Sequence, residues 1–191
     1  MDIVIRDARK GDASMLARVI MMGVGEEISK EFAGPDHSLD DVHRVFTRLC
    51  EMEDSQYSYR NSLVATSPDG EFAGGIIGYD GAMLYALRKA FFRVAEEELG
   101  YSLEGEISDE TSPDEYYFDS LAVMPQWRGH GVASLLLQAM AKRAELTGKP
   151  CGLLVDKDNH SARRLYERCG FEYVGDRPFA GVMMDHLQRK N

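Results

Sequence analysis

Asp119-Ser120-Leu121-Ala122-Val123-Met124-Pro125-Gln126-Trp127-Arg128-Gly129-His130-Gly131-Val132-Ala133 is the stretch on which the fold turns. Together with the preceding Tyr116-Tyr117-Phe118 it opens as a strand, because aromatic and β-branched residues suit a pleated, half-buried surface. Met124-Pro125 closes that strand. Two glycines follow, then a helical pattern from about Val132 to Thr147. Val132, Leu135, Leu136, Ala139 and Met140 recur on one apolar face, and Gly148 with Pro150 marks the end. Cys151-Gly152-Leu153-Leu154-Val155 is a continuous apolar run, as a parallel strand covered on both faces should be. This order predicts a parallel pair joined by a right-handed crossover. Asn159-His160-Ser161 starts a further helix that stops at Gly170. Phe171-Glu172-Tyr173-Val174 and Val182-Met183-Met184 read as closing strands.

The glycine turn has a chemistry of its own. The first N–H groups of a helix lack partners within it, and the helix dipole favours negative charge there, so such a turn is a natural anion site. Gly129 and Gly131 let the backbone curl closely around a phosphate because no Cβ intervenes, and Arg128 adds positive charge. A plain tight turn would use the same two glycines. The turn alone does not separate these readings.

Working back towards the N-terminus, Ile3-Val4-Ile5 reads as a first strand. Lys10-Gly11-Asp12 leads into a helix around Ala13 to Met22. Ser38-Leu39-Asp40-Asp41 is an acid-rich helix start before Val42, Val45, Phe46 and Leu49. Ser62-Leu63-Val64-Ala65-Thr66 and the run from Phe72 to Tyr79 flank Ser67-Pro68-Asp69-Gly70, a strong hairpin signal. The segment 80–115 has a different texture and reads as an insertion between the third and fourth strands. Met83 to Leu99 can be helical. From Glu96 to Glu115 nine carboxylates occur with no Lys or Arg among them. The fold class is therefore α/β: a mixed, strongly twisted sheet of six or seven strands with about four helices, in one domain spanning residues 1–191.

Composition narrows the function. The 191 residues are 44% hydrophobic and 28% charged, with a formal net charge of −10. That balance opposes a general nucleic-acid binder, which needs a basic footprint, and permits cationic partners. No apolar run approaches the roughly 18 residues of a membrane span, and the start has no signal-peptide pattern, so the cytoplasm is expected. Cys50, Cys151 and Cys169 form no CxxC and read as buried thiols rather than bridges. The histidines, His37, His43, His160 and His186 among them, show no metal-ligand spacing.

The order Asp119-Ser120-Leu121-Ala122-Val123-x-Pro125-Gln126-x-Arg128-Gly129-x-Gly131-Val132-Ala133 resembles the signature of the GNAT acetyltransferase family: a strand, then Q/R-x-x-G-x-G/A, then a helix. The family's second signature is similar to Asn159-x-Ser161-Ala162-x-x-Leu165-Tyr166-x-x-x-Gly170-Phe171, at the expected separation. Ile5-Arg6-Asp7-Ala8-x-x-x-Asp12-Ala13 is similar to its first strand and helix. The likeness covers nearly the whole chain apart from 80–115. It implies an acetyl-CoA-dependent N-acetyltransferase acting by direct transfer in a ternary complex. It further implies that backbone N–H groups of Arg128, Gly129, His130, Gly131, Val132 and Ala133 hold the coenzyme A pyrophosphate. The strand backbone at Leu121, Ala122 and Val123 would pair with pantetheine.

Three side chains stand out within that resemblance. Its tyrosine, here Tyr166, would protonate the departing thiolate, although Ala162, Leu165, Tyr166 and Cys169 also form a plain apolar helix face. Asn159 is placed to bind pantetheine or to cap its helix. Asp119 shares a strand face with Tyr117 and is the candidate general base. Binding the substrate cation without moving a proton, or simply facing solvent, are its other readings. The acceptor is expected to be a cationic small-molecule amine or a lysine-bearing peptide, drawn in by the acidic stretch from Glu96 to Glu115. No metal is expected, and the chain is compatible with a homodimer. Two rivals remain. One is an acyl-CoA sensor without turnover. The other is a dinucleotide-binding unit, with Gly129-x-Gly131-x-x-Ser134 as its turn and Asp156 as its ribose-binding acid.

Overall fold

The computed structural model describes residues 2–102 and 107–190. Seven strands among them, β1 Val4–Asp7, β2 Ser62–Thr66, β3 Phe72–Asp80, β4 Tyr116–Val123, β5 Cys151–Val155, β6 Glu172–Phe179 and β7 Val182–Arg189, form one mixed sheet. Their spatial order is β1-β2-β3-β4-β5-β7-β6. Only β4 and β5 are parallel neighbours, as their apolar, crossover-linked sequences predict.

Six α-helices accompany the sheet, against about four expected: α1 Ala13–Val24, α2 Glu26–Ala33, α3 Leu39–Glu51, α4 Leu84–Leu99, α5 Val132–Ala144 and α6 His160–Arg168. The helix missed outright is α2. The expected helix around Ala13 to Met22 is followed at once by a second one, into which Gly25, at φ +90°, redirects the chain. This eight-residue helix buries only Ser29 and Ala33, too little to leave a periodic apolar stripe. The expected start of α3 is correct, because Ser38 and Asp41 form a reciprocal cap. The Ser38 N–H donates to the Asp41 carboxylate at 2.7 Å, and the Asp41 N–H donates to the Ser38 hydroxyl at 3.3 Å.

The closing strands are longer than expected, eight residues each. The extension of β6 through Asp176, Arg177 and Pro178 lies on the sheet edge, where Pro is tolerated and apolar alternation is not needed, whereas that of β7 through Asp185 to Arg189 is interior, paired with β5 and β6. The central strands are covered on both faces. Leu63 and Ala65 of β2 join a core with α5, whereas Val64 between them joins a second core with α1, α3 and α4. Cys50, Cys151 and Cys169 make no disulfide. Burial pushes the Cys50 thiol far up and that of Cys151 to about 11, so neither offers a thiolate.

The connection between β3 and β4 is tied down by Glu115, which is fully buried. Its carboxylate lies 2.8 Å from His186 Nε2 and accepts from Gln188 at 2.8 Å and from the Thr111 hydroxyl at 2.7 Å. Burial alone would raise its pKa. Hydrogen bonds from His186, Gln188 and Thr111 outweigh that and hold it at about 2. The lowered pKa means that this stabilisation is present above the ordinary value of about 4.5 and is lost as pH falls towards 2. Removing one member of a buried charged network costs about 3–5 kcal/mol. Glu115→Ala is therefore expected to lose stability of that order at pH 7 by urea unfolding, with a smaller loss at pH 3.

Candidate active site

β4 is pressed against β3 and released from β5. At Gly74 and Gly78 a Cβ would sit 2.6 Å from the Ala122 carbonyl oxygen and 2.9 Å from that of Tyr117, so only glycine permits this approach. The β3–β4 register steps from Ile77↔Ser120 to Gly78↔Phe118, leaving Asp119 as the extra residue of a bulge. On the other side β4 meets β5 only at Tyr116↔Cys151 and Tyr117↔Gly152. Beyond those two rungs the parallel strands diverge, and among the described residues the β4 edge from Phe118 to Val123 has no strand partner on that side.

Two adjoining cavities occupy the divergence. A smaller one, about 140 Å³, is lined by Tyr117 and Asp119 of β4, Leu154 and Val155 of β5, and Asn159 and Tyr166. A groove of about 260 Å³ runs on from it along Leu121, Ala122, Val123, Arg128 and Ala133, with Asn159, Ala162 and Tyr166 common to both. The fold thus gathers Asp119, Asn159 and Tyr166, which are distant in sequence, around one space.

The glycine loop stands at the end of the groove. Gly129 and Gly131 have φ of +80° and +77°, and a Cβ on either would meet nothing within 4 Å. Backbone conformation, not crowding, requires them. Gly131 is the N-cap of α5, so the first free N–H groups of that helix follow it. Gly129 and His130 are exposed, whereas the Val132 side chain is core, leaving only its backbone for a ligand. The sequence reading left Trp127 without a role. The structure makes it the anchor of this loop: its ring is buried and its Nε1 donates to Glu71 at 3.2 Å, beside the Gln126 amide at 3.0 Å. A lone tryptophan needing one hydrogen-bond partner was the available signal.

Asn159 does cap α6, its Oδ1 accepting from the Ala162 N–H at 3.1 Å, while the residue also lines the groove. Tyr166 packs edge-on to Phe171 with ring centroids 6.1 Å apart. Burial pushes its phenol up to about 12, so it keeps its proton and acts as a donor at neutral pH. Asp119 shifts in the same direction, away from its charged form. Burial, then the nearby Glu110 charge, raise it to about 7, against hydrogen bonds from Ser120 and Gln56.

The acidic stretch is not the carboxylate wall expected. Glu110 and Glu115 are buried, the former paired with Arg88 and accepting from the Tyr79 hydroxyl at 3.0 Å. Glu97 and Glu98 pair with Arg48, and Asp109 with Arg88. Glu104 and Glu106 lie outside the described residues. The missing Lys and Arg come from elsewhere in the chain, which a local count of charge cannot show. No cluster of three or more His, Cys, Asp or Glu side chains suited to a metal occurs among the described residues, and none of their helices is long and apolar enough to cross a membrane. A sheet with one parallel pair also lacks the doubly wound order of a dinucleotide-binding unit.

Comparison with known proteins agrees with this geometry. The model of the acetyltransferase (GNAT) family matches residues 31–171. An N-acetyltransferase from Staphylococcus aureus Mu50 has a similar structure, 27% identical, covering 97% of this chain and 99% of that one with a TM-score of 0.81. A second solved acetyltransferase is 28% identical over 98% of each chain, with a TM-score of 0.80. Among curated proteins, an uncharacterised protein of Mycobacterium leprae (strain TN) is 31% identical over 132 residues, 69% of this chain. The chain spans about a third of the length of that relative, 33%. With the family model matching residues 31–171 and its fold in common with these solved acetyltransferases, the chain belongs to the GNAT family of acetyltransferases.

Proposed function

We propose that the whole chain, as a single domain in the cytoplasm, acetylates a primary amine with acetyl-CoA by direct transfer in a ternary complex. The observation that carries this is the meeting of Asp119 and Tyr166, a raised carboxylate and a protonated phenol, at one small cavity where β4 leaves β5. Acetyl-CoA supplies the activated acetyl group. N–H groups from Arg128 to Ala133 hold its pyrophosphate, and the unpaired β4 edge at Leu121, Ala122 and Val123 binds pantetheine as an added strand. Asn159 fixes the same arm.

The acceptor, a small-molecule amine or a lysine side chain, arrives as a cation. Asp119 takes one proton from its nitrogen, which frees the lone pair for attack on the thioester carbonyl. A carboxylate at about 7 is a stronger base than an ordinary aspartate and is still substantially ionised at neutral pH. As the C–N bond forms and the C–S bond breaks, the nitrogen releases its second surplus proton to solvent, and Tyr166 donates its own proton to the departing sulfur and is recharged from solvent. The reading of an acyl-CoA sensor shares the groove but has no use for the Asp119 environment.

Three measurements test this. Tyr166→Phe keeps the ring against Phe171, so stability and acetyl-CoA binding are expected to hold while kcat falls by roughly 10²–10⁴. An unchanged kcat would return Tyr166 to packing. Because Asp119 must be ionised to accept a proton, log kcat/KM should rise with pH and level off above about 7. Asp119→Asn should be slow and lack that inflection. Gly131→Glu places a negative charge at the N-terminus of α5, and calorimetry should show acetyl-CoA binding abolished with the fold retained. Binding of acetyl-CoA with no thiol released in the presence of any amine would favour the sensor.

A further inference from the structure

Beyond the reaction cavity, and sharing Val24, Ile28 and Phe179 with it as walls, lies a chamber of about 460 Å³. We propose that this chamber receives the apolar body of the acceptor, so that the substrate is a primary amine carrying an aromatic or branched aliphatic group rather than a polyamine. The inference rests on the transfer reading above and adds the substrate class.

The walls decide the class. Phe32, Phe46, Tyr57 and Phe91 form a mutually packed aromatic surface, with ring centroids 5.5 Å apart for Phe32–Phe46 and Phe32–Phe91 and 5.3 Å for Phe46–Tyr57. Such rings are held by one another and present fixed faces and edges to a bound ring. The volume lies in the range of about 300–1,000 Å³ typical of small-molecule sites.

Of the charged groups that line the chamber, Arg88 and Glu110 are buried and already committed, while Glu31 is exposed to solvent. Arg88, 4% exposed, pairs with both Glu110 and Asp109. Glu110, 3% exposed, also accepts from Tyr79 and, at 3.3 Å, from Gln56. Its charge is balanced by a buried guanidinium, so a second ammonium at the buried aromatic end of the chamber would gain no uncompensated carboxylate there and would lose its water. An apolar group loses nothing on entering. The reacting nitrogen meets Asp119 at the near end while the body lies against the rings. Ionic recognition is thereby confined to one end of the substrate.

The test is a thiol-release assay with ethylamine, isoamylamine, 2-phenylethylamine, putrescine, spermidine and a lysine-bearing peptide. kcat/KM is expected to rise about fourfold per added buried methylene, with 2-phenylethylamine well above ethylamine and spermidine near ethylamine. Ile107→Asp, on the chamber wall, should cut the 2-phenylethylamine value at least tenfold and change ethylamine less than twofold. If that variant does not fold, Phe32→Leu should lower the same ratio several-fold. Equal or better turnover of spermidine or the peptide overturns the proposal, as does a ratio that neither variant moves. Should no amine release thiol, transfer itself fails, and calorimetry of 2-phenylethylamine with the CoA-loaded protein decides the chamber separately. Heat abolished by Ile107→Asp, or weakened by Phe32→Leu, upholds it as a ligand site, and no heat refutes it.

Discussion

The constraint on which the site depends is the position of a single strand. β4 is held tightly by β3 because Gly74 and Gly78 leave no side chain between the backbones, and the bulge at Asp119 bends it away from β5 after two rungs. Everything the proposed chemistry uses follows from that divergence. It strips partners from the Phe118–Val123 edge, opens the cavity into which Tyr166 reaches from α6, and points the loop after Pro125 at the mouth of the groove. The same bulge takes Asp119 out of the regular ladder and places it beside Tyr117 in an enclosed space. Burial there raises its pKa more than any single charged neighbour does. A strained-looking irregularity in a sheet and a carboxylate suited to accept a proton near neutrality are thus one feature.

Much of this was legible in the residues. The limits of β2, β4 and β5 were readable because each is a mainly apolar or aromatic run bounded by a turn former. The anion turn was readable because Gly129 and Gly131 punctuate a strand-to-helix junction. What escaped had no local signature. α2 hides behind Gly25, the outer half of β6 is an edge strand without apolar alternation, and the second half of β7 is polar although it is paired on both sides. The bulge at Asp119 is a property of register between two strands, so alternation along β4 alone gives Asp119 its face but not its environment. Trp127 looked idle because its partner, Glu71, lies 56 residues away in the β2–β3 turn.

Charge was the least local property of all. The run from Glu96 to Glu115 looks like a solvated acidic loop when read in isolation. In the folded chain Arg48 and Arg88 answer four of its carboxylates, and His186 and Gln188 answer a fifth. The described part of the segment therefore packs as part of the structure, and its acidity reflects where the compensating cations are stored. The same pairing leaves the buried wall of the aromatic chamber without an uncompensated charge.

The contact of Glu115 with Gly152 has a consequence for how this sequence can change over time. A Cβ at position 152 would occupy the space of the Glu115 carboxylate, so any larger residue there is barred while that carboxylate stays. Loss of the carboxylate first, though costly, removes the barrier and makes alanine at 152 a filler of the resulting gap. The two positions behave as one heritable unit with a preferred order of substitution, and the effect of either change cannot be read without knowing the other. Lineages that crossed to the alternative pair would find the return path closed in turn, since restoring a glutamate at 115 would bring it against the new methyl group.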